Sequence, residues 1–212
     1  MRVVFMGTPD FAVGTLDAII RAGHKVEAVI TQPDKPHGRS GKLVFPPVKE
    51  KALEYNIPVY QPVKLRQSDV IDKLKEINPD VIVVVAFGQI LPKSVLELPR
   101  YGCVNVHASL LPKYRGAAPI QWAVINGDEE SGVTTMLMND GIDTGDMLKV
   151  RRYKLAPKET GGSLFDKLSG VGAALLVKTL DELEKGTVKP VKQNETEATH
   201  VKMLDKSFGN ID

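Results

Sequence analysis

Two runs of this 212-residue chain carry polar side chains that together could transfer an acyl group. YGCVNVHASLLPKYRGAAP places Asn105 and His107 two residues apart, and MNDGIDTGD carries Asp143. Asparagine offers an amide donor to a developing oxyanion, and histidine a proton acceptor near neutral pH. Aspartate supplies a partner that orients and charges the imidazole. That set suffices for acyl transfer to an amine without a covalent enzyme intermediate. On a strand, positions i and i+2 project to the same face, so one short strand aims Asn105 and His107 at one point. A structural histidine would account for His107 alone. An asparagine beside it, at the carboxyl end of a buried strand where unbonded polar groups are costly, favours a functional pair.

Such a strand needs neighbours, and the chain supplies them. Apolar runs at 2–6, 25–31, around Val59, and at 80–87 and 102–109 read as strands. Helix-like segments at about 11–22, 47–55, 68–77, 92–98 and 118–126 separate or follow them. DVIVVVAF is apolar on both alternating faces, the pattern of a central parallel strand. Residues 131–139 and 147–154 read as further strands forming an antiparallel edge, and a long helix is expected over 162–185. This order predicts an α/β fold, a Rossmann-like three-layer sandwich with a largely parallel central sheet. Ligands of such sheets bind beyond the carboxyl ends of the strands.

Composition narrows the class. The chain is 42% hydrophobic and 25% charged with net charge +2, which is ordinary for a globular protein and gives no global nucleic-acid signature. One cysteine, Cys103, excludes an internal disulfide framework and a multi-thiolate zinc site, and its apolar surroundings make it a small core residue. The first apolar run breaks at Gly7 and Pro9, too early for a signal-peptide core, and no stretch is long enough for a membrane span. A cytoplasmic setting without membrane association is expected.

Other motifs are weaker. GTPD after the first strand lacks the G-x-G-x-x-G pattern and reads as a strand-to-helix turn, with Thr8 as N-cap and Pro9 in the first helical turn. The three aspartates of 138–147 do not match a calcium loop, so no metal site is expected. Lys113 and Arg115 read as a solvated edge, and Gly116 as a tight turn. Residues 32–46 read as a long loop without periodicity. From Lys35 to Lys51 it and the helix start carry Lys35, Arg39, Lys42, Lys49 and Lys51 against Glu50 alone, with an exposed aromatic at Phe45. That combination suits a polyanion with unpaired bases. Residues 188–212 are polar, show no convincing element and read as a linker.

N-x-H-x-SLLP, RGAAPIQW and DGIDTGDML together resemble the 10-formyltetrahydrofolate-dependent formyltransferases. GTPDFA, TQPDKPHGR, VVVAFGQILP and RGAAPIQ are similar to the branch whose acceptor is methionyl initiator tRNA, and the likeness runs over essentially all of residues 1–212. It implies that Asn105, His107 and Asp143 are the catalytic residues. It implies folate contacts at Ser109, Leu110, Leu111 and Pro112, with a second wall at Phe87, Gly88, Ile90 and Leu91. It implies tRNA contacts at Lys35, Arg39 and Lys42, 10-formyltetrahydrofolate as donor, and no obligate protein partner. It further implies a catalytic domain over 1–187, with 188–212 leading toward a carboxy-terminal β-barrel domain absent from this chain. Formyl transfer to another amine such as a sugar nucleotide, hydrolysis of the formyl donor, and a non-catalytic folate- or RNA-binding module remain the alternatives.

Overall fold

The computed structural model describes residues 1–37, 42–66 and 68–209. Seven strands form one twisted sheet. In chain order they are β1 (Arg2–Gly7), β2 (Lys25–Ile30), β5 (Val59–Tyr60), β6 (Val81–Val85), β7 (Cys103–His107), β9 (Glu130–Leu137) and β10 (Met147–Lys154). Their order across the sheet is β10-β9-β7-β6-β1-β2-β5. From β7 to β5 all pairs are parallel, whereas β9 runs antiparallel to both β7 and β10. The expected parallel sheet with an antiparallel edge is therefore present.

Helices cover both faces. On one side lie α1 (Val13–Arg21), α2 (Pro47–Glu54), α5 (Pro119–Ile125) and α6 (Gly161–Glu184). Their buried Leu16, Val48, Ile120 and Leu176 join Val3, Phe5, Val83 and Val106 in one core cluster. On the other side α3 (Ser68–Ile77) and the single turn α4 (Lys93–Leu96) bury Leu74 and Val95 against Val4, Met6, Ile82 and Cys103. Side chains alternate across each strand, so each cluster takes every second residue. The longest helix, α6, starts with a capping box in which Thr160 and Ser163 each bond the other's backbone N–H. Gly172 lets it settle on the sheet, because a Cβ there would sit 3.0 Å from Val106.

Four expectations change. Thr8 does not cap a helix. Its hydroxyl donates to the Phe87 carbonyl at 3.1 Å, and a short 3-10 turn at Asp10–Ala12 precedes α1. The stretch 32–46 is not wholly irregular: β3 (Lys35–His37) and β4 (Lys42–Val44) pair as an antiparallel ribbon outside the main sheet. Arg115 is no solvated edge but 1% exposed, in the short strand β8 (Arg115–Gly116). The polar segment after α6 is packed on the domain. There β11 (His200–Val201) pairs with β8, and Val191 bonds Met147 in both directions. Among the described residues no helix is long and apolar enough to cross a membrane.

Candidate active site

Asn105 and His107 lie on the face of β7 that also carries Cys103, the side of α3 and α4. Register aligns Asn105 with Val84 of β6 and with Met136 of β9, and His107 with Thr134. The loop 138–146 connects β9 to β10 and brings Asp143 to both side chains. Asp143 Oδ1 lies 3.4 Å from Asn105 Nδ2, and Oδ2 lies 3.7 Å from His107 Nδ1. Oδ2 also accepts the Gly116 backbone N–H at 2.8 Å. The three residues read from the sequence as one constellation are therefore brought together. His107 is 7% exposed and the Asp143 side chain 15%.

The tautomer of His107 follows from its other nitrogen. Nε2 stands 2.9 Å from the Tyr114 carbonyl oxygen, which can only accept, so Nε2 carries the proton. Nδ1 of the neutral ring then holds a lone pair toward Asp143. A gap of 3.7 Å is beyond hydrogen-bond reach and fits two acceptors facing each other. Protonation at Nδ1 turns that repulsive approach into a charge-assisted pair.

Backbone conformation at the site is unusual. Among the described residues six non-glycine residues have positive φ. Asn56 and Asn78 follow α2 and α3 as helix-terminating residues, an ordinary use. The other four, Ala86, Tyr114, Ala118 and Asp143, lie in the loops that follow β6, β7 and β9. Left-handed backbone costs roughly 1–2 kcal/mol per residue, so the surrounding bonds must hold it. At Tyr114 (φ 61°) the carbonyl accepts from His107, and at Asp143 (φ 53°) the carboxylate meets Asn105 and Gly116.

The two expected folate walls lie on different loops, that after β7 and that after β6. Ser109 is fully buried and its hydroxyl donates to the Lys113 carbonyl at 2.6 Å. Leu110, Leu111 and Pro112 turn toward β9 and β10, lining a cavity of about 820 Å3 with Met147, Val150 and Arg151. Phe87 and Leu91 are buried in the cluster with α3 and α4, while Gly88 has φ 81° and Ile90 is 70% exposed. Ile142, next to Asp143, is 65% exposed. An exposed apolar side chain therefore stands on each of the two loops that adjoin β7: that after β6 and that after β9. Cys103 is buried against α4, and burial pushes its thiol up to about 12.

The basic segment is only partly free. Lys49 donates to Asp34 and Gln61 and lies 3.8 Å from the Phe45 ring centroid, and Lys51 pairs with Glu54. Lys35 is exposed, as are Leu43, Val44 and Phe45. Lys42 lies in β4, and Arg39 lies outside the described residues.

Two residues not singled out by the sequence, Gln193 and Glu195, complete the site together with Arg115. Gln193 is 9% exposed, and its Nε2 donates to the carbonyls of Asp143 at 2.8 Å and Gly145 at 2.7 Å. Its Oε1 accepts from Arg115 Nε at 2.9 Å. Arg115 in turn makes a bidentate pair with Glu195 at 2.7 and 2.9 Å. That pair raises the Arg115 guanidinium and holds the Glu195 carboxyl below its ordinary value. A buried arginine needs such partners, which is why a residue type normally exposed sits inside.

A family model described as formyl transferase matches residues 1–180. The methionyl-tRNA formyltransferase of Lachnospira eligens is 68% identical over all 212 residues, which span 67% of that relative. That of Agathobacter rectalis is 63% identical and that of Clostridioides difficile 56%, with 68% and 69% of their lengths spanned. The chain thus covers about two thirds of these relatives. Among solved structures, phosphoribosylglycinamide formyltransferase from Bacillus halodurans superposes with a TM-score of 0.72 at 24% identity, over 86% of this chain and 95% of that one. The sugar 3N-formyl transferase WlaRD, crystallised with dTDP and 5-N-formyl-THF, gives 0.71 at 22% identity, over 95% of this chain and 69% of that one. At such identities the likeness is one of fold.

Proposed function

The chain belongs to the formyl transferase family, and on that footing we propose that it formylates the α-amino group of methionyl initiator tRNA with 10-formyltetrahydrofolate as donor. One observation carries the chemistry: a single carboxylate, Asp143, meets the Asn105 amide and faces the His107 ring. Identity of 50–68% to proteins named methionyl-tRNA formyltransferase, over the whole chain, carries the choice of acceptor.

The donor supplies the formyl group, and this chain's residues do the rest. A free α-amine has a pKa of about 7.7–8.0 and must lose a proton to attack. His107 Nδ1 accepts that proton, directly or through a water. Asp143 then pairs with the imidazolium across the gap that was unfavourable in the neutral ring. Asn105 has two amide hydrogens, so one remains for the formyl oxygen as it gains negative charge, a contribution of roughly 2.7–4 kcal/mol for a well-placed donor. The amine nitrogen gains the bond to the formyl carbon as the bond from that carbon to N10 breaks. The departing N10 takes the proton held by His107, and the surplus proton of the newly acylated nitrogen leaves to solvent, so the amide is neutral and the ring ends as it began.

The residues present fit a flat, partly apolar donor. Ile90 and Ile142 offer exposed apolar surface on the two loops flanking Asn105, and a pocket of that kind with few convergent polar groups is what such ligands use. The Ser109–Pro112 turn is the proposed folate-contacting segment, and the Ser109 hydroxyl, bonded to the Lys113 carbonyl, fixes its shape. The tRNA meets Lys35 and Lys42 of the β3–β4 ribbon and Arg39, which lies outside the described residues, with Phe45 available for stacking. Residues 1–187 carry the reacting groups, residues 188–212 lead on from them, and the further third of the relatives' length is proposed to share in holding tRNA.

A single-turnover assay with 10-formyltetrahydrofolate and charged initiator tRNA tests the reading. Formyl-methionyl-tRNA is the expected product. Formate released without acceptor, or faster formylation of an amino sugar nucleotide, would overturn it.

A further inference from the structure

The segment following α6 passes between the two loops that build the site. Val191 pairs with Met147 by two backbone bonds of 2.8 Å. Further along, Thr199 accepts from the Arg115 N–H by its carbonyl and from the Tyr114 N–H by its hydroxyl, both at 2.8 Å. Its own N–H bonds the Pro112 carbonyl at 3.2 Å, and Val201 accepts from Ala117 at 3.1 Å. Residues 191–201 are thus stitched to the start of β10, where the loop after β9 ends, and to the 112–117 loop at the other end. Gln193 is the side chain that joins the two. It reaches the carbonyls at 143 and 145 with its amide nitrogen and Arg115 with its amide oxygen.

We propose that Gln193 is the positioning residue of this active site, holding the Asp143 loop at the distance from Asn105 and His107 that the chemistry requires. The argument is geometric. Asp143 sits in the left-handed region, which the backbone leaves readily unless it is held. Gln193 takes the carbonyl of that residue and the one two positions on. Gly145, near the β10 end of the loop, leaves no slack, since a Cβ there would collide with the Leu137 carbonyl at the end of β9. A carbonyl pair gripped by one amide fixes both position and peptide orientation. Arg115 keeps that amide from rotating, and Glu195 with Gln193 keeps Arg115 buried. The stretch that composition marks as a linker is on this account part of the catalytic unit. This rests on reading Asn105, His107 and Asp143 as the formyl-transfer site.

Two substitutions in the full chain test it. Gln193→Met keeps the side chain's length and removes all three bonds. Gln193→Glu keeps the partner for Arg115 but cannot donate to the two carbonyls. Both should speed amide hydrogen exchange over residues 138–147 while leaving β1 and β6 unchanged. Both should lower kcat about 10- to 100-fold, as a misplacement near 1 Å does, with KM for tRNA and folate altered less than about twofold. In an Asp143→Ala background neither should lower kcat further by more than about twofold, because the route of action is already gone. Wild-type exchange and kcat in folded Gln193→Glu would overturn the proposal. So would losses that multiply through in the Asp143→Ala background. Gln193→Glu, which retains its anchor to Arg115, decides the matter if Gln193→Met does not fold. If wild-type protein shows no formyl transfer, the functional reading falls, and the exchange measurement still decides whether Gln193 holds the loop.

Discussion

Two irregular regions of this chain look alike in composition and are built in opposite ways. The loop 138–146 and the 32–46 stretch are both polar, both interrupted by glycine, and in their described residues both lie outside the strands of the main sheet. In the first, Asp143 is gripped from three sides: by Asn105, by the Gly116 N–H and, through its own carbonyl, by Gln193. In the second, the β3–β4 ribbon is anchored at its base by the Lys49–Asp34–Gln61 network and leaves Leu43, Val44 and Phe45 exposed at 58, 45 and 42%. Proton transfer needs groups held within tenths of an ångström, so its loop is over-determined. Capture of a large polyanion, the role proposed for the ribbon, needs charge and reach rather than such a grip.

Substitution at the reacting groups should separate the regions most sharply. His107→Ala and Asn105→Ala should each lower the single-turnover rate by about 10²–10³-fold, with little change in donor binding measured by fluorescence titration. A loss below tenfold in both would mean that the gripped loop is not where the chemistry occurs.

The loop's rigidity is the next target. At Gly145 a Cβ would meet backbone, the Leu137 carbonyl, which cannot rotate away as a side chain tip can. Gly145→Ala should therefore shift Asp143 and cut kcat about 10- to 100-fold, with a lower Tm. An alanine inserted in the ribbon, Lys35→Ala, should leave kcat unchanged. It should raise the KM for tRNA severalfold, and the slope of log K against log salt should fall by about one unit. Arg39→Ala is expected to act in the same way. If Lys35→Ala and Arg39→Ala both leave the salt slope untouched, the ribbon is not a nucleic-acid contact and the contrast drawn here loses one of its sides.

The same contrast explains what could be read from the residues alone. The parallel strands were legible because buried strands must be continuous apolar runs, as in Val81–Val85. Asn105 and His107 were legible because they break that rule on one face. Asp143 was legible only as one of three aspartates between glycine turns; nothing local says that its loop folds back over β7. Thr8 misled, because a hydroxyl before a helix caps it by default, and here the Phe87 carbonyl claims that hydroxyl. The β3–β4 ribbon left no alternation to detect in a stretch of prolines, lysines and glycines. Arg115, read as a solvated edge, and Gln193 hid their roles for a different reason. Their bonds go to backbone carbonyls and to a glutamate 80 positions away, so no periodicity records them.

The smallest expected effect concerns the outer end of that clamp. Glu195 is exposed, and the Arg115 guanidinium holds its carboxyl below the ordinary glutamate value of 4.5. A carboxyl whose value is lowered by folding stabilises the fold above the unfolded value, and that contribution disappears as pH falls through the folded one. Glu195→Gln should therefore melt slightly lower than wild type at pH 7, and the difference should shrink on acidification below about 4.5. The gap stays small because the Glu195 end of the pair is solvent-screened and the glutamine amide oxygen still accepts from the buried Arg115 guanidinium. Activity at pH 7 should change far less than in Gln193→Glu, because Gln193 still bonds Arg115 and both loop carbonyls. If Glu195→Gln instead abolished turnover with its melting unchanged, the control of Asp143 would lie at the arginine–glutamate pair rather than at the amide. The over-determined region would then extend one shell further from the reacting atoms than its hydrogen bonds alone require.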